Sequence, residues 1–367
     1  MATVTLEVSV GEALDKLSIL DIKCRKIKNP ERLQFCKDEY DGLLNSLRGY
    51  VDRFRWNYAV LTWINESIWN IQDEVRIEDS LQEQRIKRYA IRIQDENDMR
   101  FRTKDKINTL TLSTIREQKG YPKRRAFFLG NLGLGDLINH IGAIRYYATA
   151  YDEVTVVVKA CNERNARSFF RDDPSINFLI VTADREISVQ LGALPGTFNS
   201  ITREYSKVIM SGAHLATCHR WDDTSDCFYK DMQLPLEIRY VFHYVSSGED
   251  AMYHLLKEVP YIFVHQTTST GKFPIIKWDI DSILTIDPDT NLYTKDHKWH
   301  SLAKACVGNP LVDYIDVIKH ATQIHVLDSS FSCLAHYIHL EATIARCYRR
   351  QTGEHIPAFS FRYFGQT

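Results

Sequence analysis

The first part of the chain repeats apolar residues every three or four positions, which is the spacing of amphipathic helices. The Asn29-Pro30 step separates the first two apolar stripes, as expected where one helix ends and another begins. A short strand-like stretch, 4–10, precedes them. We predict an α-helical bundle domain over residues 1–121. The apolar stripes cover Leu14–Ile27, Leu33–Leu47 and Phe54–Ile71, and the charged stretch Ile86–Ile115 is expected to form one or two further long helices.

From residue 122 the pattern changes to short apolar runs that alternate with helical segments, and this alternation indicates a parallel, doubly wound sheet. The pattern occurs twice, so we predict two tandem Rossmann-like α/β domains, over 122–248 and 249–367. Helices are expected within 221–244 and over 311–321, and a helix after the last loop is expected to include Leu334 and Leu340. The predicted strands are 126–129, 154–158, 178–181, 207–210, 261–265, 282–286, 324–327 and 343–347.

Composition argues against several classes of protein. The 367 residues are 44% hydrophobic and 25% charged, with a formal net charge of −1. A basic field that would favour nucleic acid is therefore not expected, nor is a membrane span, a secretory signal or a zinc site. The eight cysteines contain no CxxC pair, and we expect buried thiols in a cytoplasmic protein. A homo-oligomer formed through the helical domain is a further expectation.

A glycine-rich turn joins the strand over 126–129 to the next helix. It contains Gly130, Gly133 and Gly135 and is followed by Asp136. Glycines allow a ligand to approach the backbone, and a helix N-terminus favours negative charge. Asp136 is open to two interpretations, either as a cap of this helix or as a catalytic base at the edge of the sheet.

Nicotinamide and S-adenosylmethionine chemistry do not fit this turn. The dinucleotide fingerprint requires a third glycine where Ile138 stands, and an acidic residue near the position of Lys159. A Walker loop is excluded because no Gly-Lys-Ser/Thr closes the turn. We therefore expect no cofactor, and the same departures count against a nucleotide-sugar epimerase, which would need an NAD-binding fold.

Two later loops offer groups suited to a diphosphate. The Thr267–Lys272 loop follows a strand and combines hydroxyls, a glycine and one ammonium, and Asp328–Ser332 follows another strand. Taken alone, the first is better explained as an ordinary polar loop, and the serines of the second are compatible with helix caps. The occurrence of both loops together favours the functional interpretation. Both loops are expected at the same cleft.

Asp287-Pro288-Asp289 allows a metal-binding DxD interpretation, but a proline-containing turn is the preferred one. Histidines 265, 297, 300, 325, 336 and 339 show no convincing ligand spacing, and His336 and His339 fall on one helix face by period. No metal site is expected.

Residues 126–350 resemble GT-B glycosyltransferases, nearest to the heptosyltransferase-like group. The matching segments are Gly133-Leu134-Gly135-Asp136, Ser269-Thr270 with Lys272, and Asp328-Ser329-Ser330-Phe331. The resemblance implies that Asp136 is the base and that the other two loops bind a nucleotide-diphosphate sugar. His214 and Tyr229 are candidate contacts of a glycan acceptor. The complete predicted donor-binding set is Gly133, Gly135, Thr268, Ser269, Thr270, Lys272, Asp328, Ser329, Ser330 and Phe331.

The helical block resembles a small helical family of unknown function that is met beside glycan-biosynthesis enzymes. The matching residues are 8–12 with 14–20, and 96–100 with Lys104 and 107–108. Its aromatic residues Trp56, Tyr58, Trp63 and Trp69 suit either sugar stacking or a core.

Two functional hypotheses follow. The first is an inverting, metal-independent glycosyltransferase acting on a glycan hydroxyl. The second is a non-catalytic nucleotide- or glycan-binding scaffold protein derived from such an enzyme.

Overall fold

The computed structural model of the protein describes residues 6–77, 83–120, 122–182, 203–212, 221–246, 251–268, 271–349 and 352–356. The chain divides into two compact units. Unit 1 is Met1–Arg125 together with Tyr146–Val154, and unit 2 is Ala126–Arg145 together with Thr155–Thr367.

Unit 1 contains four long helices: α1 Val10–Lys26, α2 Pro30–Arg53, α3 Arg55–Ile77 and α4 Glu83–Leu110. Ser9 and Asn29 cap the first two helices, because the Ser9 Oγ accepts from the Glu12 N–H and the Asn29 Oδ1 from the Arg32 N–H. The strand expected over 4–10 is wrong in its described part. Residues 6–9 are irregular, and α1 begins at Val10.

The core of unit 1 forms where the apolar stripes of these helices meet. Leu14 and Leu17 of α1, Leu61 of α3 and Ile107 of α4 are completely buried in one cluster. The helical period of the sequence therefore predicted which faces are buried, and burial of these aliphatic side chains stabilises the bundle.

Unit 2 contains two four-stranded sheets, in the orders β3-β2-β1-β4 and β10-β9-β5-β8, and a two-stranded hairpin of β6 and β7. β1 pairs with β4 in parallel, and so do the strands of the second sheet. The strands are β1 Arg125–Leu129, β2 Glu153–Lys159, β3 Ile176–Val181, β4 Lys207–Met210, β5 Tyr261–His265, β6 Thr267–Thr268, β7 Gly271–Lys272, β8 Leu284–Ile286, β9 Gln323–Leu327 and β10 Ile344–Tyr348.

Eight described helices accompany these strands. They are α5 Leu134–Ala150, α6 Glu163–Phe169, α7 Trp221–Asp231, α8 Ile238–Val241, α9 Ala251–Leu256, α10 His300–Ala305, α11 Ile315–Lys319 and α12 Ser330–Ala335. Residues 160–162 and 311–314 form 3₁₀ turns. α12 ends at Ala335, so the expectation that it includes Leu340 is wrong, and His336 and His339 do not share a helix face.

These sheets and helices confirm the predicted fold class, two tandem Rossmann-like α/β halves preceded by an α-helical bundle. The bounds of the three domains remain a prediction. Cys227 is disulfide-bonded, which corrects the expectation that every cysteine is a thiol.

None of the described helices combines the length and the apolar composition that crossing a membrane requires.

Candidate active site

The turn between β1 and α5 places Asp136 in the first turn of a helix, just beyond the edge of the first sheet. β1 ends at Leu129 and α5 begins at Leu134. A Cβ at Gly133 would lie 2.8 Å from the Asp136 Oδ2, so the half-buried carboxylate occupies space that only glycine leaves open. The glycine three residues before Asp136 is therefore required by the position of the carboxylate.

A buried histidine fixes the first turn of α5. His140 is 1% exposed; its Nδ1 lies 2.7 Å from the Asp136 carbonyl oxygen and its Nε2 lies 2.8 Å from the Ser211 Oγ. Burial lowers the pKa of His140 to about 4, so the ring is neutral at pH 7. The carbonyl can only accept, so Nδ1 has the hydrogen and Nε2 accepts from Ser211. His140 thus ties the helix turn of Asp136 to the end of β4.

The turn with Asp136 meets the turn that follows β9. A Cβ at Gly135 would lie 3.1 Å from the Cys333 Sγ and 3.7 Å from the Ser330 Cα. Burial, and then the charges of Asp328 and Asp136, raise the pKa of Cys333 to about 12. Both carboxylates therefore lie near one half-buried thiol. The Asp136 turn and the turn that follows β9 are therefore in contact in the structure.

Within the Asp328–Phe331 turn most polar groups already have protein partners. The Ser329 N–H donates to the Ser332 Oγ at 3.0 Å, and the Ser329 Oγ lies 3.0 Å from both the Leu327 carbonyl oxygen and the His265 Nδ1. Phe331 is 4% exposed, so its ring is not available to a ligand. The hydroxyl of Ser330 has no partner in the part of the chain that the structure describes.

His265 links this turn to the β6–β7 hairpin. It is the last residue of β5, and its Nε2 lies 3.2 Å from the Asp289 Oδ2 while its Nδ1 contacts Ser329. The hairpin follows immediately, with Thr267 paired to Lys272 and Thr268 to Gly271. The side chain of Lys272 is exposed. The two loops predicted to bind the donor are thus connected through His265, which the sequence did not single out.

The Asp287-Pro288-Asp289 segment is a turn. Asp287 is 1% exposed; its Oδ1 accepts from the Asp289 N–H at 2.9 Å and its Oδ2 from the Gln266 Nε2 at 3.1 Å. Burial raises the pKa of Asp287. Among the described residues, no group of three or more His, Cys, Asp or Glu side chains could hold a metal ion.

The remaining predicted contacts have less support. Ser269, Thr270 and His214 lie outside the described residues. Tyr229 is 1% exposed; its hydroxyl accepts from the Ala143 N–H and donates to the Asn139 carbonyl oxygen, both at 3.1 Å. Because both hydrogen bonds are internal, the structure gives the Tyr229 hydroxyl no contact with an acceptor.

In unit 1 the two sequence segments that resemble a helical family face each other. The Asp15 carboxylate is 2% exposed; its Oδ1 accepts from the Arg100 Nε at 2.7 Å and from the Asn65 Nδ2 at 2.9 Å. The Gly11 N–H donates to the Asn108 Oδ1 at 2.9 Å, and the Lys104 Nζ donates to the Glu12 Oε1 at 2.6 Å. The matching residues therefore make three polar contacts between α1 and α4.

The aromatic residues of α3 lie partly in the bundle interior. Trp56 is 7% exposed, and Tyr58 packs against the cluster of Leu14 and Leu61. This placement favours the core interpretation for these two rings.

No family model matches the sequence, and no curated protein matches it. Among solved structures, the chain is similar to a family 9 glycosyl transferase of Veillonella parvula, with 10% identity, a TM-score of 0.37, and coverage of 63% of this chain and 83% of that one. It is also similar to the ADP-heptose LPS heptosyltransferase II of Escherichia coli, with 13% identity, a TM-score of 0.33, and coverage of 60% and 84%. An E. coli heptosyltransferase solved with ADP shows 12% identity and a TM-score of 0.33, over 63% of this chain and 93% of that one. At these TM-scores the likenesses do not bear on which reaction this chain performs.

Proposed function

We propose that this chain is a glycosyltransferase that moves a sugar from a nucleotide-diphosphate sugar to a hydroxyl of a glycan acceptor, with inversion and without a metal ion. The supporting observation is the contact between the Asp136 turn and the turn that contains Ser330 and Cys333. It brings a carboxylate from one half of unit 2 to the edge of the other half, where the predicted donor loops begin.

The proposed reaction is a single displacement. The acceptor hydroxyl loses its proton to Asp136 as its oxygen forms a bond to the anomeric carbon, and the bond from that carbon to the diphosphate oxygen breaks. The Lys272 ammonium and the Ser330 hydroxyl are the proposed partners of the charge that develops on the departing diphosphate. Inversion follows from one base and one leaving group on opposite faces of the sugar.

The substitution Asp136→Asn tests the role of the base. We expect the rate of transfer to fall by about 10²–10⁴-fold, because the amide cannot accept the proton, while the affinity for a nucleoside diphosphate stays the same. Transfer is measured with a panel of nucleotide sugars and binding by calorimetry. Glu163→Gln, in the first turn of α6, is the matched control for loss of a helix-terminal charge.

An Asp136→Asn variant that melts early yet keeps its specific activity would show that Asp136 only caps the helix. Binding of nucleoside diphosphates by the native protein, without transfer or hydrolysis of any nucleotide sugar, would favour the non-catalytic scaffold instead.

A further inference from the structure

Tyr337, two residues beyond the end of α12, bridges the two halves of unit 2 through its hydroxyl. The Tyr337 Oη accepts from the Arg239 Nε at 2.8 Å and donates to the Asn139 Oδ1 at 3.0 Å. Asn139 lies in α5, three residues after Asp136. Arg239 lies in α8, and the segment that follows α8 is held to α5 by a bond from the Arg145 Nε to the Tyr244 carbonyl oxygen. The hydroxyl therefore connects the second half to α5.

The chemistry of the three side chains fixes which group donates and which accepts in each hydrogen bond. Arg239 can only donate, and its second donor, NH1, bonds the Asp226 Oδ1 at 2.8 Å. The Tyr337 hydroxyl must accept from Arg239, so its own hydrogen goes to the Asn139 Oδ1. This orients the Asn139 amide, whose Nδ2 donates to the Cys333 Sγ at 3.6 Å. Burial raises the pKa of Tyr337 to about 12, so the hydroxyl keeps its hydrogen.

Loss of the Tyr337 hydroxyl would leave two buried polar groups without their hydrogen-bond partner, which costs free energy. Arg239 and Asn139 are 5% and 7% exposed, and a buried polar group without a partner retains its full cost of desolvation. The Tyr337 ring is held separately, because it stacks on His243 with a centroid distance of 3.6 Å and an interplanar angle of 4°. Ring and hydroxyl can therefore be tested apart.

We propose that Tyr337 is a positioning residue, which through Asn139 and Cys333 sets the spacing between Asp136 and the Asp328–Phe331 turn. Asn139 lies one helical turn from Asp136 on α5, and Cys333 lies one turn from Ser330 on α12. The bonded chain thus ends close to both groups of the proposed reaction. This inference rests on the proposed function.

The substitution Tyr337→Phe keeps the ring stacked on His243 and removes only the hydroxyl. We expect kcat for transfer to fall about tenfold, because small misplacements of reacting groups have large effects on rate. The Kd for a nucleoside diphosphate should not change. Amide hydrogen exchange should become faster in 134–145 and 330–338 and stay the same elsewhere.

Tyr261→Phe is the matched control. Tyr261 is 2% exposed, and its hydroxyl donates to the Val317 carbonyl oxygen at 2.8 Å within one half of unit 2, at the amino end of β5. This variant should lose comparable thermal stability, yet keep kcat and the exchange rates of 134–145 and 330–338.

Equal effects of the two variants on kcat, or unchanged exchange in those two segments of Tyr337→Phe, would overturn the inference. If the native protein transfers no sugar, the proposed function fails, and the exchange comparison still decides whether Tyr337 couples the two turns. Should Tyr337→Phe not fold, Asn139→Ala provides the same readouts. In the double variant Tyr337→Phe/Asn139→Ala, the two effects on kcat should not add, because both substitutions break the same hydrogen bond. Additive effects would also overturn the inference.

Discussion

At the scale of single residues, the position of Asp136 depends on a histidine that must stay neutral. His140 holds the Asp136 carbonyl oxygen with one ring nitrogen and accepts from Ser211 with the other. A second proton on the ring would convert Nε2 from an acceptor into a donor, and the ring would be a buried charge. The ring also packs on Phe228, with centroids 4.2 Å apart.

Acid should therefore destabilise the protein in a defined window. The pKa of His140 is about 4 in the folded chain and about 6.5 when unfolded, so between these values the unfolded chain binds more protons. The contribution of neutral His140 to the free energy of unfolding is complete above pH 6.5 and is lost as the pH falls toward 4. For the full shift in pKa it amounts to about 3 kcal/mol. His140→Gln should lower the Tm at pH 7.5 and flatten its decline toward pH 4.5. Melting curves over this range test it, and parallel declines in both proteins would contradict it.

The candidate residues differ in how far sequence could identify them. Asp136 could be predicted, because a strand, glycines and a helix start are local features that place one side chain at a sheet edge. The role of His140 could not be predicted. It follows Asp136 by four residues, but a histidine that only packs on a buried helix face can show the same spacing. Tyr229 shows the opposite case, because sequence offered it as a candidate acceptor contact and gave no sign that the fold buries it.

At the scale of elements, the β6–β7 hairpin presents the exposed Lys272 directly after the strand that contains His265. Because the proposed mechanism uses an ammonium where other transferases use a metal ion, Lys272→Ala should weaken binding of a nucleoside diphosphate. An exposed charge contact to an anion contributes about 1 kcal/mol, so the expected loss in affinity is roughly five- to tenfold. Calorimetric titration measures it, and Lys277→Ala, another exposed lysine nearby, should bind normally.

The same mechanism expects EDTA to leave transfer unchanged. Activity that disappears with EDTA and returns with manganese would contradict the mechanism and direct attention to Asp287 and Asp289.

Sequence predicted elements best where the pattern was long and regular. The helices α1, α2 and α3 were predicted because their apolar spacing extends over the whole element. The helix α4 was expected only as one or two helices within a charged stretch, and strands such as β4 and β5 were predicted from short apolar runs. The helices α9 and α10 were not predicted, since six residues give too little periodicity. The bonds of Tyr337 could not be predicted either, because they join residues 98 and 198 positions apart.

At the scale of the whole molecule, unit 1 is not a continuous piece of the chain, since Tyr146–Val154 completes it. The Arg102 Nε donates to the Asp152 Oδ1 at 2.9 Å, and the Lys106 Nζ donates to the Ala148 carbonyl oxygen at 2.9 Å. Burial opposes the charge on Asp152, yet the Arg102 guanidinium and the Arg124 N–H hold the pKa of that carboxyl below its ordinary value. A cut near the predicted boundary at residue 121 would remove the partners of two cations.

Because Asp152 pairs with Arg102, the substitution Arg102→Met should affect stability differently in the full chain and in a fragment that lacks Asp152. In the full chain, Arg102→Met should destabilise the helical unit by on the order of 3 kcal/mol, because Arg102 is 6% exposed and Asp152 would lose its buried partner. In the fragment 1–125 the guanidinium already lacks Asp152, so the same substitution should be neutral or stabilising. Urea unfolding followed by far-ultraviolet circular dichroism measures both. Arg25→Met removes a pair with Glu66 that lies wholly within 1–125, so its small effect should be equal in the two contexts. An equal loss from Arg102→Met in fragment and full chain would mean that the fragment holds Arg102 by other partners and that Tyr146–Val154 is dispensable to the unit.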